Sequence, residues 1–381
     1  MAQAILAGTR ADPIPGGDDR AEVRVTQPVA MALVDVGARI RLTATANLEA
    51  LTLADGELTP GAWGEGFVDR RHPHTVVHEL TLGVRDLLGS RDGAIEVGVV
   101  AGKGFVPFGT DDPMVRPFLR YPVNHHLAQL LERAVVLGQL QVGMATLEGA
   151  LFNGDEPERP GQWPLLRRAD GAWRFGDSRA ARLTMRPMAT LELQGSLAAV
   201  KSPEHRQGAG GTARKESLSA RWAEEQPTRA RYALVEWAHT SELDGAFVFR
   251  SFLAEVAVRE RRVAVGYRFE RTTRPEEERL DDPFRSKRPH LENSILGTTR
   301  WTLHTAQLRF GPIGRGRVDA LPFIEATVGR ISRGGPGIFD IETLYGTDRV
   351  RTISVGVVVN AGMRGHRMGR YGVLGAAHHH P

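Results

Sequence analysis

The sequence of 381 residues contains no cysteine. Disulfide bonds and zinc sites with thiolate ligands are therefore excluded. No run of about 18 apolar residues is present either, so the sequence offers no candidate for a transmembrane helix. A strong excess of positive charge is also missing, because 49 lysines and arginines stand against 45 aspartates and glutamates. A dedicated nucleic-acid-binding protein is normally more basic than this, and we predict no nucleic-acid partner.

Several motifs of common enzymes are missing too. The sequence has no G-x-x-x-x-G-K-[ST] phosphate loop and no G-x-S-x-G nucleophile elbow. Its first residues lack the charged and apolar regions of a signal peptide. Ala2-Gln3-Ala4 nevertheless matches the A-x-A pattern of a signal cleavage site, so we expect an exported protein whose mature form begins near this point. No residue is predicted to be catalytic, to bind a cofactor or to ligate a metal.

The clearest signal that is present is an alternation of apolar and polar residues with a period of two. Over 39–50, RIRLTATANLEA, six apolar residues fall on one face, and Arg39, Arg41 and Glu49 belong to the other. Strict alternation over this length predicts a strand about 40 Å long, roughly twice the mean strand of a soluble protein. The same pattern recurs at 94–103, 263–272 and 351–360. Less regular strands are predicted at 28–35, 75–86, 133–142, 144–153, 188–200, 213–224, 229–242, 246–258, 299–311 and 317–330.

Short and long connections are mixed between these strands. Short turns are predicted at Gly37, at Gly143 and at Leu243-Asp244-Gly245. Long polar loops are predicted near 55–74, 102–132, 154–178 and 271–298, the last of them rich in charges of both signs. Turns at one rim and loops at the other are typical of an up-and-down barrel in an outer membrane.

The polar faces of the strands distinguish a membrane barrel from a soluble β-protein. They carry arginine and glutamate beside glycine and threonine, as expected for a wet lumen. We therefore predict an all-β fold, a transmembrane antiparallel barrel of about 14 strands, with a range of 12–16. The aromatic residues predicted to form girdles at the membrane interfaces are Trp237, Tyr232, Tyr267, Trp301 and Phe310.

The predicted domain organisation is a single barrel over 22–375. It is preceded by a mature N-terminal extension over 1–21 and followed by a tail over 376–381 that contains His378-His379-His380. The strand that closes the barrel is predicted either over 350–362 or as a longer strand that runs to Tyr371.

Three histidines and a carboxylate in RHPHTVVHE, residues 71–79, resemble a metal-binding cluster. His74 and His78 would lie about 13 Å apart on one strand, which is too far for a shared ion. His72 precedes Pro73, and a site would need His125 or His126 from the loop at 102–132. We therefore predict a hydrogen-bonded polar rim.

The loop at 102–132 is the best candidate for a functional element. Asn124 is a predicted helix N-cap, and Leu127, Leu130 and Leu131 share a helical face. If the loop folds into the lumen, its charges narrow the pore and set its selectivity. The alternative is an external loop that packs only on itself.

Residues 102–109, GKGFVPFG, resemble a segment of the phosphate-selective porins O and P, in which a G-K/R-x-x-x-P-F-G run leaves an early strand and enters a loop. Asn124–Glu132 resembles the in-folded part of a porin loop. The resemblance implies an outer-membrane barrel with a water-filled pore, no cofactor and no chemistry. Phosphate selectivity is not implied, because the lysine-rich anion sites of that family have no counterpart among Lys103, Lys201, Lys215 and Lys287.

The predicted function is a porin-like channel of the bacterial outer membrane for passive diffusion of small polar or ionic solutes. Its expected partners are outer-membrane lipid, small polar or anionic solutes and further copies of the chain. The residues predicted to line or constrict the pore are Arg39, Arg41, Glu49, Glu96, Lys103, Asp111, Asp112, Arg116, Arg120, Arg268 and Glu270. Their mixed signs predict weak selectivity. The alternatives are a barrel enzyme or adhesin with a plugged lumen, and a soluble metal-binding all-β protein.

Overall fold

The fold was obtained as a computed structural model. It describes residues 1–12, 21–52, 74–89, 95–157, 159–203, 208, 210–277, 295–313, 317–337, 340–342, 346–362 and 367–371. Sixteen antiparallel strands form one closed barrel, in which each strand pairs with its neighbours in sequence and β1 pairs with β16. No helix within the described ranges is long and apolar enough to cross a membrane.

The strands are long, as the alternation predicts. Their bounds are β1 Ala2–Asp12, β2 Ala21–Val36, β3 Ile40–Asn47, β4 Val77–Gly89, β5 Ile95–Gly104, β6 Arg133–Val142, β7 Ala145–Phe152, β8 Ser178–Met188, β9 Leu191–Lys201, β10 Thr212–Gln226, β11 Arg229–Glu242, β12 Phe247–Glu260, β13 Val263–Glu277, β14 Ile295–Phe310, β15 Val318–Gly337 and β16 Arg349–Ala361. One α-helical turn, α1, spans His125–Ala128.

The strand count exceeds the predicted 14 because two strands were missed. Ala2–Asp12, within the predicted extension 1–21, is β1 and closes the barrel by pairing with β16, Ala2 opposite Ala361. Ser178–Met188 is β8, in which alanine occurs on both faces and an arginine begins the outward face, so the apolar-polar alternation is weak. The closing strand ends at Ala361, so the prediction of a strand that runs to Tyr371 was wrong.

Apolar side chains face outward and polar side chains face inward. On β9, Leu193 and Leu197 are exposed, whereas Gln194 and Ser196 are buried. This arrangement contradicts the soluble alternative, which needs the apolar faces inside. Of the predicted girdle, Trp237, Tyr267 and Phe310 lie on the outward face. The prediction that Tyr232 and Trp301 belong to the girdle was wrong, because both side chains face inward and Trp301 is fully buried.

The two rims differ as predicted. One rim, called the turn rim, carries short connections such as 143–144 and 227–228, together with both ends of the barrel sheet, Ala2 and Ala361. The opposite loop rim carries the long connections, including 105–132 and 153–177. The short Leu243–Gly245 connection lies at the loop rim. Most of the predicted 55–74 loop lies outside the described residues, and the 271–298 loop is shorter than predicted because β13 and β14 extend into it.

Candidate functional site in the lumen

The connection between β5 and β6, residues 105–132, lies inside the barrel, and we call it the lumen loop. Almost all its described side chains are buried. It enters the lumen at Gly109, whose N–H donates to Ser196 Oγ at 3.0 Å. Gly109 has φ +70°, and a Cβ there would collide with the carbonyl oxygen of Ala128. Only glycine fits this point, where the two arms of the loop touch.

Glu236, on the inward face of β11, binds residues from both arms of the lumen loop through its carboxylate. Arg116 Nη2 lies 3.2 Å from one carboxylate oxygen, and the Thr110 hydroxyl donates to the same oxygen. Asn124 Nδ2 donates to the other oxygen at 2.8 Å. Burial lowers the pKa of Arg116, but Glu236 and Glu255 outweigh burial and raise it above its ordinary value. Arg116 therefore stays charged and holds the loop to this wall.

Arg120 makes the second attachment, to the carboxylate of Glu270 on β13. The same carboxylate accepts from the backbone N–H of Val123 at 2.8 Å. Glu325 on β15 accepts from the N–H of Arg120 at 3.0 Å, and Arg268 donates to the Arg120 carbonyl at 2.7 Å. Carboxylates on the wall thus satisfy loop N–H groups that have no strand or helix partner.

The helix predicted over Asn124–Glu132 is only the single turn α1. The Asn124 side chain does not cap it, because its amide is bound to Glu236. Leu127, Leu130 and Leu131 pack in three different apolar clusters. The prediction that they share one helical face was therefore wrong. Anchoring to the wall, not helical propensity, shapes this segment.

A second element lies in the lumen. After β16, residues Arg367–Tyr371 turn back inside the barrel, and we call them the C-terminal segment. Arg370 Nη1 donates to Gln194 at 2.6 Å, and Arg370 also pairs with Glu192. Arg367 donates to both oxygens of Glu192, at 2.9 and 3.0 Å. Both partners are on the inward face of β9, the wall that Gly109 of the lumen loop also contacts through Ser196, so the segment and the loop meet on this wall.

The C-terminal segment also reaches β4 and β5. The Tyr371 hydroxyl donates to Glu79 and accepts from the N–H of Phe105 at 3.2 Å. Burial and the Glu79 carboxylate raise the pKa of Tyr371 well above its usual value, so the hydroxyl keeps its proton. Met368 is buried in one apolar cluster with Met114 and Tyr121 of the lumen loop.

Asp111 joins the lumen loop to the C-terminal segment. Its carboxylate lies 2.6 Å from Arg367 and 3.1 Å from Arg221 of β10. Burial alone would raise its pKa, but the Arg367 and Arg221 guanidiniums outweigh burial and hold the pKa of Asp111 well below its usual range. The contact is therefore an ion pair at neutral pH.

Together the lumen loop and the C-terminal segment fill the barrel at this level. Wall residues that would be wet in an open pore are buried, among them Glu148, Glu236 and Glu255 at 0% exposed and Arg182 at 1%. Arg182 makes a two-point contact with Glu148, at 2.6 and 2.8 Å, and donates to the carbonyl of Gly369 at 2.8 Å. Around these residues the lumen wall is polar and is covered by other described residues.

Some predicted lining residues lie elsewhere. Arg39 is exposed in the turn before β3, and Arg41 pairs with Asp35 at the turn rim, 2.7 Å apart. Glu49 lies beyond β3 in a 3-10 turn at the loop rim, where its side chain is buried. The remaining predicted residues are buried; they are Glu96, Lys103, Asp111, Asp112, Arg116, Arg120, Arg268 and Glu270. Asp112 caps the turn that begins at Pro113 by accepting from the N–H of Met114 at 2.8 Å.

The residues that sequence reasoning missed are the partners of the loop arginines and the whole C-terminal segment. Glu236, Glu255 and Glu325 sit on the polar faces of correctly predicted strands, so the alternation marked them as inward without singling them out. The sequence RMGRY of the C-terminal segment carries no strand pattern after β16 ends. No local signal in this sequence could have found it, because the carboxylates that its two arginines bind are distant in sequence.

The histidine cluster was also placed wrongly. His74 lies before β4, and the register of β4 shifts between Val77 and Glu79. The His74 and His78 rings are consequently 4.9 Å apart, not about 13 Å. His125 of the lumen loop lies 6.4 Å from His74, as a shared site would need. His72 is outside the described residues.

Replacing Gly104 with alanine is expected to loosen the C-terminal segment. A Cβ at this position on β5 would collide with the Tyr371 hydroxyl and lie 3.0 Å from Thr81 Cγ2. Losing a hydrogen bond to a charged group costs about 1.5–3 kcal/mol, so we expect passage to open roughly ten times more often in bilayer recordings. Gly138→Ala, whose Cβ meets nothing within 4 Å, is the control. Equal opening frequencies for the two variants would contradict the view that the Tyr371 hydroxyl holds the C-terminal segment in place.

Comparison with known proteins finds porins among solved structures. The anion-selective porin from Comamonas acidovorans matches with a TM-score of 0.50 at 8% identity, over 94% of this chain and 97% of that chain. OmpF of Salmonella typhi, in complex with daunomycin, gives 0.48 at 9% identity over 94% and 96%. OccK10 (OpdN) of Pseudomonas aeruginosa gives 0.40 at 10% identity over 96% and 98%.

No protein-family model matches the chain, and no curated protein is similar to it in sequence. The resemblance to the phosphate-selective porins O and P therefore stays a prediction. At these identities the structural likeness concerns the fold alone. The chain has the fold of a porin-like outer-membrane barrel, antiparallel and closed, with 16 strands.

Proposed function

We propose that the chain is a bacterial outer-membrane channel for small polar or ionic solutes, and that its own C-terminal segment closes the passage. The observation that carries the proposal is the position of Arg367 and Arg370. They occupy the gap between the lumen loop and β9 and bind Glu192 there. The apolar outer face supports a membrane location, with the turn rim on the periplasmic side as in other bacterial barrels.

The wall behind the C-terminal segment is polar, which supports a path for water. Thr184, Glu192 and Gln194 line it on β8 and β9, and Arg370 is the group that covers them. When the segment leaves, these side chains need new hydrogen-bond partners, and water is the available one. An apolar seam would stay dry instead. Small polar solutes are therefore the expected cargo.

The opened channel is expected to prefer cations weakly. Removal of the C-terminal segment takes away two guanidiniums, while Asp111 keeps Arg221 at 3.1 Å and Glu192 keeps Arg186 at 3.7 Å. Glu79 keeps only the hydroxyl of Thr45 among its described hydrogen bonds. With the imidazole of His78 as its described cationic neighbour instead of a guanidinium or an ammonium, Glu79 gives a small negative potential in the passage.

The measurement is the reversal potential in a salt gradient for the chain without residues 367–381. A small potential of the cation sign is expected, and Glu79→Gln should bring it to about zero. Glu216→Gln, on the outward face of β10, is the matched control and should change nothing. A reversal potential of the sign expected for anion preference would contradict the proposed cation preference. It would favour the anionic solutes that the sequence analysis expects.

A barrel enzyme or adhesin with a plugged lumen is the second candidate, and the filled lumen favours it as well. The two candidates differ in what removal of the segment does. A channel conducts once the C-terminal segment is gone. A barrel that serves as a scaffold stays closed, because the lumen loop alone then fills it. Association into homo-oligomers remains a prediction.

A further inference from the structure

We propose that His74, His78 and Glu132 form a site for a divalent transition-metal ion, with Zn²⁺ as the probe. The three residues come from the start of β4 and the end of the lumen loop. One ligand atom from each lies within 4.8 Å of the other two. Two imidazoles and one carboxylate are a ligand set that zinc takes in proteins, at about 2.0–2.2 Å from each donor.

The geometry already holds the donors around one point. His78 Nδ1 donates to Glu132 Oε1 at 2.8 Å, and His74 Nδ1 lies 4.0 Å from Glu132 Oε2. A metal ion would replace the proton between His78 and Glu132. Ligands of a tetrahedral zinc ion are roughly 3.4 Å apart, so shifts of about 1 Å complete the site.

A satisfied structural histidine would use both ring nitrogens. His78 is 1% exposed, and its Nε2 has no hydrogen-bond partner among the described residues. In His78 the Nδ1 atom makes the contact with Glu132, so Nε2 points away from the proposed ion and would take a water. His78 would thus give Nδ1 to the ion and Nε2 to a water.

The local charge also favours a cation. Glu79 and Glu132 are buried side by side with His78, and the described bonds to Glu79 come from two neutral hydroxyls. Lys103 is the nearby ammonium, and it donates to the Thr75 hydroxyl, which in turn donates to Glu132. The carboxylate of Asp112 also acts on His78, and the guanidinium of Arg133 acts on Lys103. Once a metal ion has displaced the proton of His78, three carboxylates stand against these two cations, and a divalent ion offsets the negative balance.

A metal ion bound at this site would hold the lumen loop to the barrel wall. Glu132 is the last residue of the loop, whereas His74 and His78 belong to the wall. Because a bound ion joins the two directly, it would stabilise the loop against leaving the lumen.

The test is zinc binding by the chain refolded in detergent at neutral pH, with His378-His379-His380 replaced by serine so that the tail does not contribute. Equilibrium dialysis against Zn²⁺ is expected to give one ion per chain and a higher unfolding temperature. His78→Ala and Glu132→Gln should each weaken binding at least about tenfold. His304→Ala, an outward-facing histidine bound to Tyr267, is the control and should bind as before.

Two results would overturn the site. The first is the absence of stoichiometric zinc binding in the chain with the serine tail, which would leave His78 and Glu132 as a proton-sharing pair. The second is unchanged binding in His78→Ala. If a variant does not fold, the conservative His74→Gln exchange and the first result still decide the question.

Discussion

A chain that ends at residue 366 is expected to conduct ions, whereas the full chain is expected to stay closed for most of the recording time. In planar bilayers the shortened chain should show stepwise openings, with a time-averaged current about tenfold or more above that of the full chain. The deletion removes Arg367, Arg370 and Tyr371, and with them the described contacts to Glu192, Gln194 and Glu79. The barrel itself is untouched, because its closing strand ends at Ala361.

A chain that ends at Tyr371 is the matched control. It loses ten residues but keeps every contact of the C-terminal segment, so it should remain closed. Circular dichroism and heat-dependent migration on gels would establish that both shortened chains are folded. Folded barrels without current in the chain that ends at residue 366 would refute the channel and favour the plugged scaffold.

Arg120→Ala is expected to release the lumen loop from the wall. The change leaves the buried Glu270 carboxylate without its guanidinium partner, and breaking a buried ion pair in this way costs about 3–5 kcal/mol. The loop supports no strand pairing, so the loss should appear as loop detachment, not barrel unfolding. Limited chymotrypsin digestion of the folded protein should then cleave after Phe118, which is 2% exposed in the closed lumen.

Arg330→Ala is the control that tests whether the loss of any ion pair exposes the lumen loop to the protease. Arg330 pairs with Asp348 at 2.7 Å, but its side chain is 72% exposed, and such pairs contribute about 0–1 kcal/mol. No new cleavage is expected. The double change Arg120→Met with Glu270→Gln removes both charges together and should restore most of the protection. Resistance of Arg120→Ala to chymotrypsin would mean that other contacts hold the loop.

The barrel was predictable from the sequence because alternation is a local property. Where one face of a strand carries leucine and valine and the other carries arginine and threonine, the pattern alone gives strand type and facing, as in 263–272. It failed at β8, where alanine on both faces removes the contrast. It also failed at His74 and His78, because the chain bends at residue 76 before β4 begins at Val77, and the alternation does not mark where the extended strand starts.

The closed lumen was not predictable, because it depends on contacts between residues far apart in sequence. Asp111, Arg116 and Arg120 were singled out from the charges of their loop, yet their partners lie on β10, β11 and β13. Nothing local to RMGRY distinguishes a segment inside a barrel from an exposed tail. The two arginines of RMGRY bind side by side only because the folded barrel places Glu192 and Asp111 close together.

The C-terminal segment is joined to the barrel by residues 362–366 alone, which makes it a tethered ligand of its own channel. For a tether this short, the effective concentration of the segment at its binding place is of the order of millimolar. Contacts that would give separate molecules a dissociation constant of only about 0.1 mM, roughly −5.5 kcal/mol, are then enough to keep the passage closed for about nine-tenths of the time. The closed state needs little affinity, so a modest competing interaction with the segment is expected to open it.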